Sequence, residues 1–526
     1  MQKKLESFLR MFAAVKGPQQ LFKHKLLLQL SIAFLSNPDA KIANLAFSCV
    51  LRFKLPYLLP YAEYVQPMLK KEGLREALTK FDLSENSEIV DISHRLDLIP
   101  IVTRILFGRF SARGNGAKSS KDSPAARRAA ILSFFSGIGN VNGEINYFVY
   151  MMVRVFIPED MNMIINGPGL QSEHLERMIE SSGCITPNGL LKVPIKRQEG
   201  FLNLFYDVIV QIGYGVKHFI PYFANLLLAL CEQTEDAFIV NMRNQSADNE
   251  ELDDDESTVV ERDDYSRIGR VRSLCFLRLK QMLSKFAASS VDFSKYGKRL
   301  WKSMSSSVVA LPNTVINAEN PPSLLQLIEV IALHRELIPL LDDCNDVVLS
   351  VFKCVAGTTR SKVMSCVLRI IDGLLTEGGT LGDTRGPDEE QSVGQALILK
   401  HIHLLISQFT KRLKTDSRIA NLDEEITNNL SGKGKAPKNN PTEGLQLNVL
   451  CRVSELLVSA RQGDDENIAT MESLCALLVP SLKFDSHPKQ LYVMRTIKSL
   501  IPRLSNEAAM SHYYALSKVN CSRVTI

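Results

Sequence analysis

The feature that most restricts the fold of this chain is the spacing of its apolar residues, which recur every three to four positions in nearly every apolar stretch. That spacing places one apolar stripe along an α-helix, whereas a half-buried β-strand requires strict alternation. No region combines several short alternating segments with hairpin turns. The sequence therefore predicts an all-α protein.

The predicted helices share this spacing, and turn-forming residues separate most of them. They are Leu5–Val15, Gln20–Leu35, Lys41–Phe53, Pro56–Lys71, Ile89–Phe110, Ala125–Ser136, Tyr147–Val155, Gly200–Ile212, Ile220–Glu232, Arg267–Phe286, Leu324–Leu333, Val347–Val355, Ser361–Leu375, Val393–Leu413, Leu445–Ala460, Ile468–Leu482 and Lys489–Leu504.

The helices occur in pairs that are joined by tight turns. In the clearest pair, Asn37 and Pro38 break a helix that ends at Ser36, and Asp39 is placed to cap the next helix. Helix–turn–helix units of roughly 40 residues are typical of HEAT and armadillo repeats. The sequence predicts a HEAT/armadillo-type α-solenoid of degenerate repeats, and an irregular α-helical bundle is the alternative.

Insertions rich in charge, Gly, Ser, Asn or Pro interrupt the predicted repeats. The resulting division is 1–110, N-terminal HEAT-like repeats; 111–124, a basic loop; 125–246, repeats; 247–264, an acidic disordered loop; 265–376, repeats; 377–392, a loop; 393–414, a helix; 415–442, a flexible loop; and 443–526, C-terminal repeats. In a solenoid such insertions emerge along a face or edge, where they are candidates for contact with partners.

The charge of the chain is unevenly distributed. The net charge is only +5, yet residues 248–264 hold ten acids and one arginine, so the remainder is clearly basic. A basic body with one acidic insert is compatible with RNA or another polyanionic partner. The acidic insert could engage a basic protein or compete with RNA for the basic surface, and the alternative is a plain disordered spacer.

No motif of enzyme chemistry is present in the sequence. The ten cysteines include no CxxC pair, which predicts reduced, buried thiols and no metal site. The glycine-bearing stretches lack P-loop or dinucleotide spacing, and the nine histidines form no HExxH motif. We therefore expect no catalytic residue, no cofactor, no metal and no small-molecule substrate. No run of about 18 uncharged apolar residues exists, so we expect no membrane span.

The strongest candidate for a binding surface is the stretch from Arg104 to Arg128, which has seven Lys/Arg and one acid, Asp122. It begins within the predicted helix Ile89–Phe110, continues through a basic loop and ends in a second helix. No aromatic interleaving supports base stacking there, and the alternative is a solvated loop that keeps a long scaffold soluble. The predicted RNA contacts, each able to neutralise a phosphate, are Arg104, Arg109, Arg113, Lys118, Lys121, Arg127 and Arg128.

Two strings resemble the Utp-twenty family, which is also called down-regulated in metastasis. One is NPDAKIANLAFSCVLRFKLPYLLPYAEYVQPMLKKE, and the other is IVDISHRLDLIPIVTRILFGRF followed by AARRAAILSFFSG. The pattern HR-x-D-L-x-P-I-x-x-R-I-L-x-G-R lies on His94–Arg109, and R-x-A-I-L-x-F lies on Arg128–Phe134 after a basic insert. The C-terminal VMRTIKSLIPRL (Val493–Leu504) is also similar.

The resemblance implies a non-enzymatic HEAT-repeat scaffold of the small-subunit processome, the nucleolar particle assembled on pre-rRNA with the U-three small nucleolar RNP. It implies a role in small-subunit (18S) pre-rRNA processing, with pre-ribosomal proteins and the pre-rRNA or snoRNA particle as partners. Family members are several times longer, so we expect an internal segment. The rival binding class is a HEAT-repeat nuclear-transport or general protein-interaction adaptor, and the basic bias argues against it.

Overall fold

The fold is described from a computed structural model of the chain. The structure describes residues 2–70, 73–112, 123–138, 144–157, 185–190, 192–247, 256–357, 360–376, 392–413, 441–460, 465–479, 482 and 487–520. Within these ranges every regular element is an α-helix or a 3-10 helix, and no strand occurs. The predicted all-α class is confirmed.

The chain divides into two compact units, Met1–Thr234 with Asp253–Phe286, and Glu235–Leu252 with Ala287–Ile526. The α-helices up to the end of the first unit are α1 (Gln2–Ala14), α2 (His24–Phe34), α3 (Ala40–Arg52), α4 (Ala62–Val65), α5 (Leu74–Lys80), α6 (Ile92–Ser111), α7 (Pro124–Ile138), α8 (Glu144–Val153), α9 (Pro187–Leu190), α10 (Ile195–Gln211), α11 (Ile220–Ala247) and α12 (Glu256–Phe286). The last part of α11 belongs to the second unit.

The remaining α-helices belong to the second unit. They are α13 (Gly297–Lys302), α14 (Ser305–Ile316), α15 (Ser323–Leu333), α16 (Pro339–Asp342), α17 (Asn345–Gly357), α18 (Ser361–Thr376), α19 (Val393–Lys400), α20 (402–413), α21 (Pro441–Ser459), α22 (Asp465–Leu478), α23 (His487–Leu500) and α24 (Asn506–Asn520). Short 3-10 helices lie at Pro18–Gln20, Leu59–Tyr61, Gln66–Leu69, Arg154–Phe156, Gly213–Phe219, Ser294–Tyr296, Arg335–Leu337 and Ile501–Arg503.

In the first unit several long helices pack against one another. Helix α3 packs against α1 and α2, while α6 packs against α7 and α8. Helix α10 packs against α7 and α12. The predicted turn before α3 is confirmed, because the Asp39 carboxylate accepts a hydrogen bond from the Lys41 amide at 2.8 Å and caps the helix.

In the second unit the helices stack as corresponding members of successive pairs. Helix α14 packs on α17, and α15 packs on α18; α18 in turn packs on α21, which packs on α23. The first residues of α14 and α17, Ser305 and Asn345, are about 40 residues apart, as in a HEAT or armadillo repeat. Ten of the sixteen residues of α18 are buried, because neighbours cover it on more than one side. This pairing confirms the predicted HEAT/armadillo-type fold class.

Proline changes two of the helix predictions. The continuous helix predicted over Pro56–Lys71 is wrong, because that stretch forms two 3-10 turns and the four-residue α4. Its prolines at 56, 60 and 67 lack the amide hydrogen that an α-helix interior needs. Conversely, α14 was not predicted, although Pro312 lies inside it and Val308, Leu311 and Val315 are buried. Burial of that apolar face outweighs the lost hydrogen bond.

Several predicted boundaries fall at or beyond the edges of the described residues. Residues 113–122, 248–255, 377–391 and 414–440, which include most of the predicted loops, lie outside them. Helix α12 begins at Glu256, inside the predicted acidic loop 247–264. The helix predicted over Val393–Leu413 is interrupted at His401, which separates α19 from α20.

Arginine side chains connect neighbouring helices by donating to carbonyl oxygens at helix ends. The last carbonyls of an α-helix have no partner within the helix, and a guanidinium satisfies both their hydrogen bonding and the negative end of the helix dipole. The pairs are Arg52 with Ala13 at 2.8 Å, Arg412 with Val355 at 3.3 Å, and Arg127 with Ala112. These three arginines, which the sequence shows only as positive charges, therefore connect helices in the fold.

Candidate nucleic-acid interface

Helix α6 supplies the first half of the predicted RNA-binding stretch. It begins at Ile92 because the carboxylate of Asp91 accepts hydrogen bonds from the hydroxyl and the amide of Ser93, at 2.7 and 2.8 Å. These two bonds also hold the pKa of Asp91 below its usual value. The prediction of a long helix here is confirmed, because α6 runs from Ile92 to Ser111. The helix accommodates Pro100, which is buried within it.

The residues of the HR-x-D-L pattern serve packing in this structure. The His94 ring shares a 3.0 Å hydrogen bond with the Tyr61 hydroxyl. Arg95 is 3% exposed, and its Nε donates to the Leu83 carbonyl oxygen at 2.7 Å. The pattern that identifies this stretch is therefore built from residues that position α6 against the elements before it.

An aromatic cluster fixes α6, α7 and α8 relative to one another. The Phe148 ring of α8 lies 5.2 Å from Phe110 of α6 and 4.8 Å from Phe135 of α7, measured between ring centroids. All three rings are fully buried. Such contacts add to the hydrophobic stabilisation of burial, so the two helices that flank residues 113–122 have a fixed separation.

Arg104 and Arg109 of α6 face the interior of this unit. The Arg104 guanidinium lies 5.5 Å from the ring centroid of Tyr147 in a cation–π contact. Burial raises the pKa of the Tyr147 phenol, and the charge of Arg104 opposes that rise. Arg109 is 6% exposed, so its guanidinium is held within the protein.

Arg127 and Arg128 of α7 also contact other parts of the first unit. Arg127 Nη2 donates to the carbonyl oxygen of Ala112, which joins the start of α7 to the end of α6. Arg128 Nε lies 2.5 Å from an Asp207 carboxylate oxygen on α10, and both side chains are about a quarter exposed. The structure thus places these two cations at the helix end and the helix interface that border residues 113–122.

The other predicted contacts, Arg113, Lys118 and Lys121, lie outside the described residues. The other four predicted cations lie on α6 and α7, the helices that flank residues 113–122. Each of these four either contacts another part of the protein or is buried in it. RNA contact by this set stays a prediction.

Sequence reasoning missed a second group of cations, which lies beside exposed aromatic rings. Tyr206 and Tyr214 are 40% and 58% exposed, and α12 places Arg278 and Lys285 over their rings. One signal in the sequence could have found this group, because residues 265–291 contain no acidic residue. The exposure of the tyrosines follows from the packing of α10 on α12, which the sequence does not state.

The thiols follow the prediction where the structure describes them. Seven of the eight described cysteines are buried, Cys344 is half-buried, and none forms a disulfide. Burial raises the pKa of the Cys49 thiol to about 11 and that of Cys354 to about 12. Among the described residues, no group of three or more His, Cys, Asp or Glu side chains could hold a metal ion. None of the described helices is long and apolar enough to cross a membrane.

Comparison with known proteins identifies relatives of the chain. A family model described as "U3 small nucleolar RNA-associated protein 20, N-terminal" matches residues 1–522. The curated U3 small nucleolar RNA-associated protein 20 of Schizosaccharomyces pombe is 26% identical over 193 residues, which is 36% of this chain. That match spans 7% of the length of the relative.

Proposed function

Because the chain belongs to the family of U3 small nucleolar RNA-associated protein 20, N-terminal, we propose that it is a non-enzymatic scaffold segment of the small-subunit processome. In this role it supports 18S pre-rRNA processing and ribosome biogenesis in the nucleolus. It acts by holding pre-ribosomal proteins and the pre-rRNA or snoRNA particle in register.

One observation supports this proposal above all others, namely that the family model extends over residues 1–522 of the chain. A match of that extent covers the helices of both units, whereas the resemblance found in the sequence concentrates on His94–Arg109 and Arg128–Phe134. The name of the S. pombe relative associates that protein with U3 small nucleolar RNA. Association of this chain with the same kind of particle is the corresponding proposal.

The helix packing supports a binding role of the scaffold kind. Stacked helix pairs bury their apolar faces against neighbouring pairs and leave long surfaces on which several partners can be arranged. The pairs α14–α15 and α17–α18 stack in this way. Stability then comes from contacts between neighbouring repeats, and the exposed faces are left to vary with the partners.

We propose the stretch from Arg104 to Arg128 as one RNA contact of this scaffold. Reversing the charge of Arg113, Lys118 and Lys121 together tests it, and we expect RNA crosslinking to this part of the chain to fall. Reversal at Arg109 or Arg128 is less informative, because burial and ion pairing give these residues a packing role.

A matched control for that test is the reversal of three exposed cations elsewhere, Lys3, Lys4 and Arg10 of α1. It changes the net charge by the same amount, so it separates a local contact from a general electrostatic effect. Equal crosslinking by the wild-type chain and the Arg113/Lys118/Lys121 variant would reject this contact.

The proposed function is tested by where the chain sediments and what is in the same particle. We expect the tagged chain to give a nucleolar signal and to sediment with pre-ribosomal particles that contain U3 small nucleolar RNA. Treatment with ribonuclease should shift the chain to lighter fractions. A diffuse cytoplasmic signal, with sedimentation that ribonuclease leaves unchanged, would instead favour the protein-interaction adaptor.

A further inference from the structure

A stripe of exposed side chains runs along α10 into the 3-10 helix that follows it. Tyr206, Val210 and Tyr214 are 40%, 51% and 58% exposed. Tyr206 and Val210 are four residues apart, so they lie on one face of α10. Tyr214 follows in the 3-10 helix that begins at Gly213. Other faces of α10 pack on α7 and α12. Tyr206 and Val210 therefore mark a face of α10 that the packing of the described residues leaves accessible, and Tyr214 continues the exposed stripe beyond the end of the helix.

A cation from α12 lies over each tyrosine ring of the stripe. Arg278 Cζ is 4.8 Å from the ring centroid of Tyr206, and Lys285 Nζ is 5.6 Å from that of Tyr214. The Tyr214 hydroxyl donates to the Lys285 carbonyl oxygen at 3.2 Å, and its ring meets Phe286 edge-on at 5.4 Å. These contacts hold the rings in place, which lowers the entropy lost when a ligand binds.

Gly213 sets the direction of the chain between α10 and Tyr214. Its φ of 57° lies in the left-handed region that favours glycine. A Cβ at this position would lie 3.2 Å from Lys285 Cε. Glycine therefore permits both the turn and the close approach of Lys285 to the tyrosine that it covers.

The charge around the stripe is positive. Residues 208–231 and 265–291 contain no acidic residue. The two carboxylates of α10, Asp207 and Glu199, are each paired with an arginine. An anionic ligand would meet attraction and little repulsion here. Among the cations of these stretches Lys285 is exposed, whereas Arg272 and Arg278 are 3% and 7% exposed, so Lys285 is the cation of the stripe that a phosphate can reach.

We propose that the tyrosine–cation face, defined by Tyr206, Val210, Tyr214 and Lys285, binds single-stranded RNA. Exposed aromatic rings stack on unpaired bases of any sequence. The exposed Lys285 would neutralise a phosphate, while the buried Arg278 holds the Tyr206 ring in place. A duplex keeps its bases paired and stacked, so it would not use the rings. An acidic peptide would meet the cations but would leave both tyrosines without stacking partners. This binding rests on the proposed function, since pre-rRNA is the RNA that a processome component meets.

The test uses the purified full chain and fluorescence anisotropy with a short labelled oligouridine, compared with a duplex RNA of equal length. The variant Tyr206→Leu/Tyr214→Leu keeps apolar side chains on the face and removes the aromatic planes. We expect it to weaken oligouridine binding on the order of tenfold for each tyrosine and to leave duplex binding unchanged. Lys285→Gln should lower the slope of log affinity against log salt by about 0.7, since one phosphate contact is lost.

Two matched controls lie in the second unit. Tyr513→Leu replaces a tyrosine that is 60% exposed, and Lys353→Gln replaces an exposed lysine of α17. Both should bind oligouridine like the wild-type chain. Thermal melts by circular dichroism establish that every variant is folded to the same extent.

Three outcomes would overturn the proposal. They are a wild-type chain that does not bind oligouridine, a double tyrosine variant that binds it as the wild type does, and a Tyr513→Leu variant that is weakened equally. The second outcome, combined with the loss of a protein partner, would make the face a protein-docking surface. None of these results decides the proposed function, which the sedimentation with U3 small nucleolar RNA tests separately.

Discussion

The guanidinium of Arg128 on α7 lies 2.5 Å from a carboxylate oxygen of Asp207 on α10, although the two residues are 79 positions apart in the sequence. The contact is a charge-assisted hydrogen bond between two partly solvated side chains. It joins α7, which contains the R-x-A-I-L-x-F pattern, to α10, which bears Tyr206 and Val210 of the tyrosine–cation face. A residue that the sequence predicts to contact RNA thus also joins two helices of the first unit.

The ion pair predicts a charge-swap result. Arg128→Asp should lower the free energy of unfolding, because it places two carboxylates together, and adding Asp207→Arg should recover part of the loss. A double-mutant cycle of Arg128→Ala and Asp207→Ala is expected to give a coupling of about 1 kcal/mol, since both side chains are partly solvated. Denaturant unfolding measures it. Strictly additive losses would show that the pair contributes nothing to stability.

A glycine of the family pattern predicts a steric result. A Cβ on Gly108 would lie 2.9 Å from the Asn37 carbonyl oxygen, so α6 and the turn before α3 are in backbone contact there. Gly108→Ala should cost about 1–3 kcal/mol, since backbone must move. Gly200→Ala in α10 is the control, because nothing lies within 4 Å of its Cβ position; a gain of up to about 1 kcal/mol is expected there. Equal melting temperatures for the two variants would refute the close contact.

The aromatic cluster predicts where the first unit is most sensitive to a cavity. Phe148 is fully buried and contacts rings of both α6 and α7. Phe148→Ala should lower the free energy of unfolding by about 3–5 kcal/mol. Phe22→Ala removes the same group from a site that is 87% exposed, so its effect should stay within about 0.5 kcal/mol. A mild effect at Phe148 would contradict the packing described for α6, α7 and α8.

The buried thiols predict a dependence on pH. Burial raises the pKa of Cys49 to about 11 and that of Cys354 to about 12, from an ordinary value of 9.0. The folded chain keeps these thiols neutral, whereas the unfolded chain ionises them above pH 9. Their contribution to the free energy of unfolding is therefore fully present below pH 9. It is lost progressively as the pH rises from 9 towards these higher values. Unfolding in denaturant at pH 8 and pH 10 should show the decrease, and substitution of Cys49 and Cys354 by Ala should make the decrease smaller.

The same burial predicts the order of alkylation. Iodoacetamide should label Cys344, which is half-buried, before Cys49 or Cys354, which are buried. Peptide mass mapping at pH 8 resolves the individual sites. Labelling of Cys354 as fast as that of Cys344 in the folded chain would contradict the described core.

The helices were predictable where local chemistry decides them. Asp39 could be placed as a cap because carboxylates accept from the free amides at a helix start. Helix α14 was not predicted, because Pro312 lowers the helix propensity of its sequence. In the fold, the burial of Val308 and Leu311 stabilises the helix despite the proline. Propensity is a local quantity, and the energy that overrides it comes from partners distant in the sequence.

The candidate site was less predictable for the same reason. A sequence lists Arg109 and Arg128 as cations, and only the fold reveals that one is buried and the other paired with Asp207. In the same way, the sequence places Tyr206 in an apolar helix but does not show that its ring is partly exposed. That exposure follows from how α10 packs on α12. The charge of a side chain follows from the residue type, whereas its exposure to solvent depends on packing between residues distant in the sequence.

The proposed function is tested most directly by identifying the RNA that contacts the chain in cells. Ultraviolet crosslinking of the tagged chain, followed by sequencing of the bound RNA, provides this identification. We expect the crosslinks to concentrate on small-subunit pre-rRNA and U3 small nucleolar RNA, and the Tyr206→Leu/Tyr214→Leu variant to lose part of the signal in single-stranded segments. Crosslinks no more abundant on these RNAs than in untagged cells would contradict the proposed function.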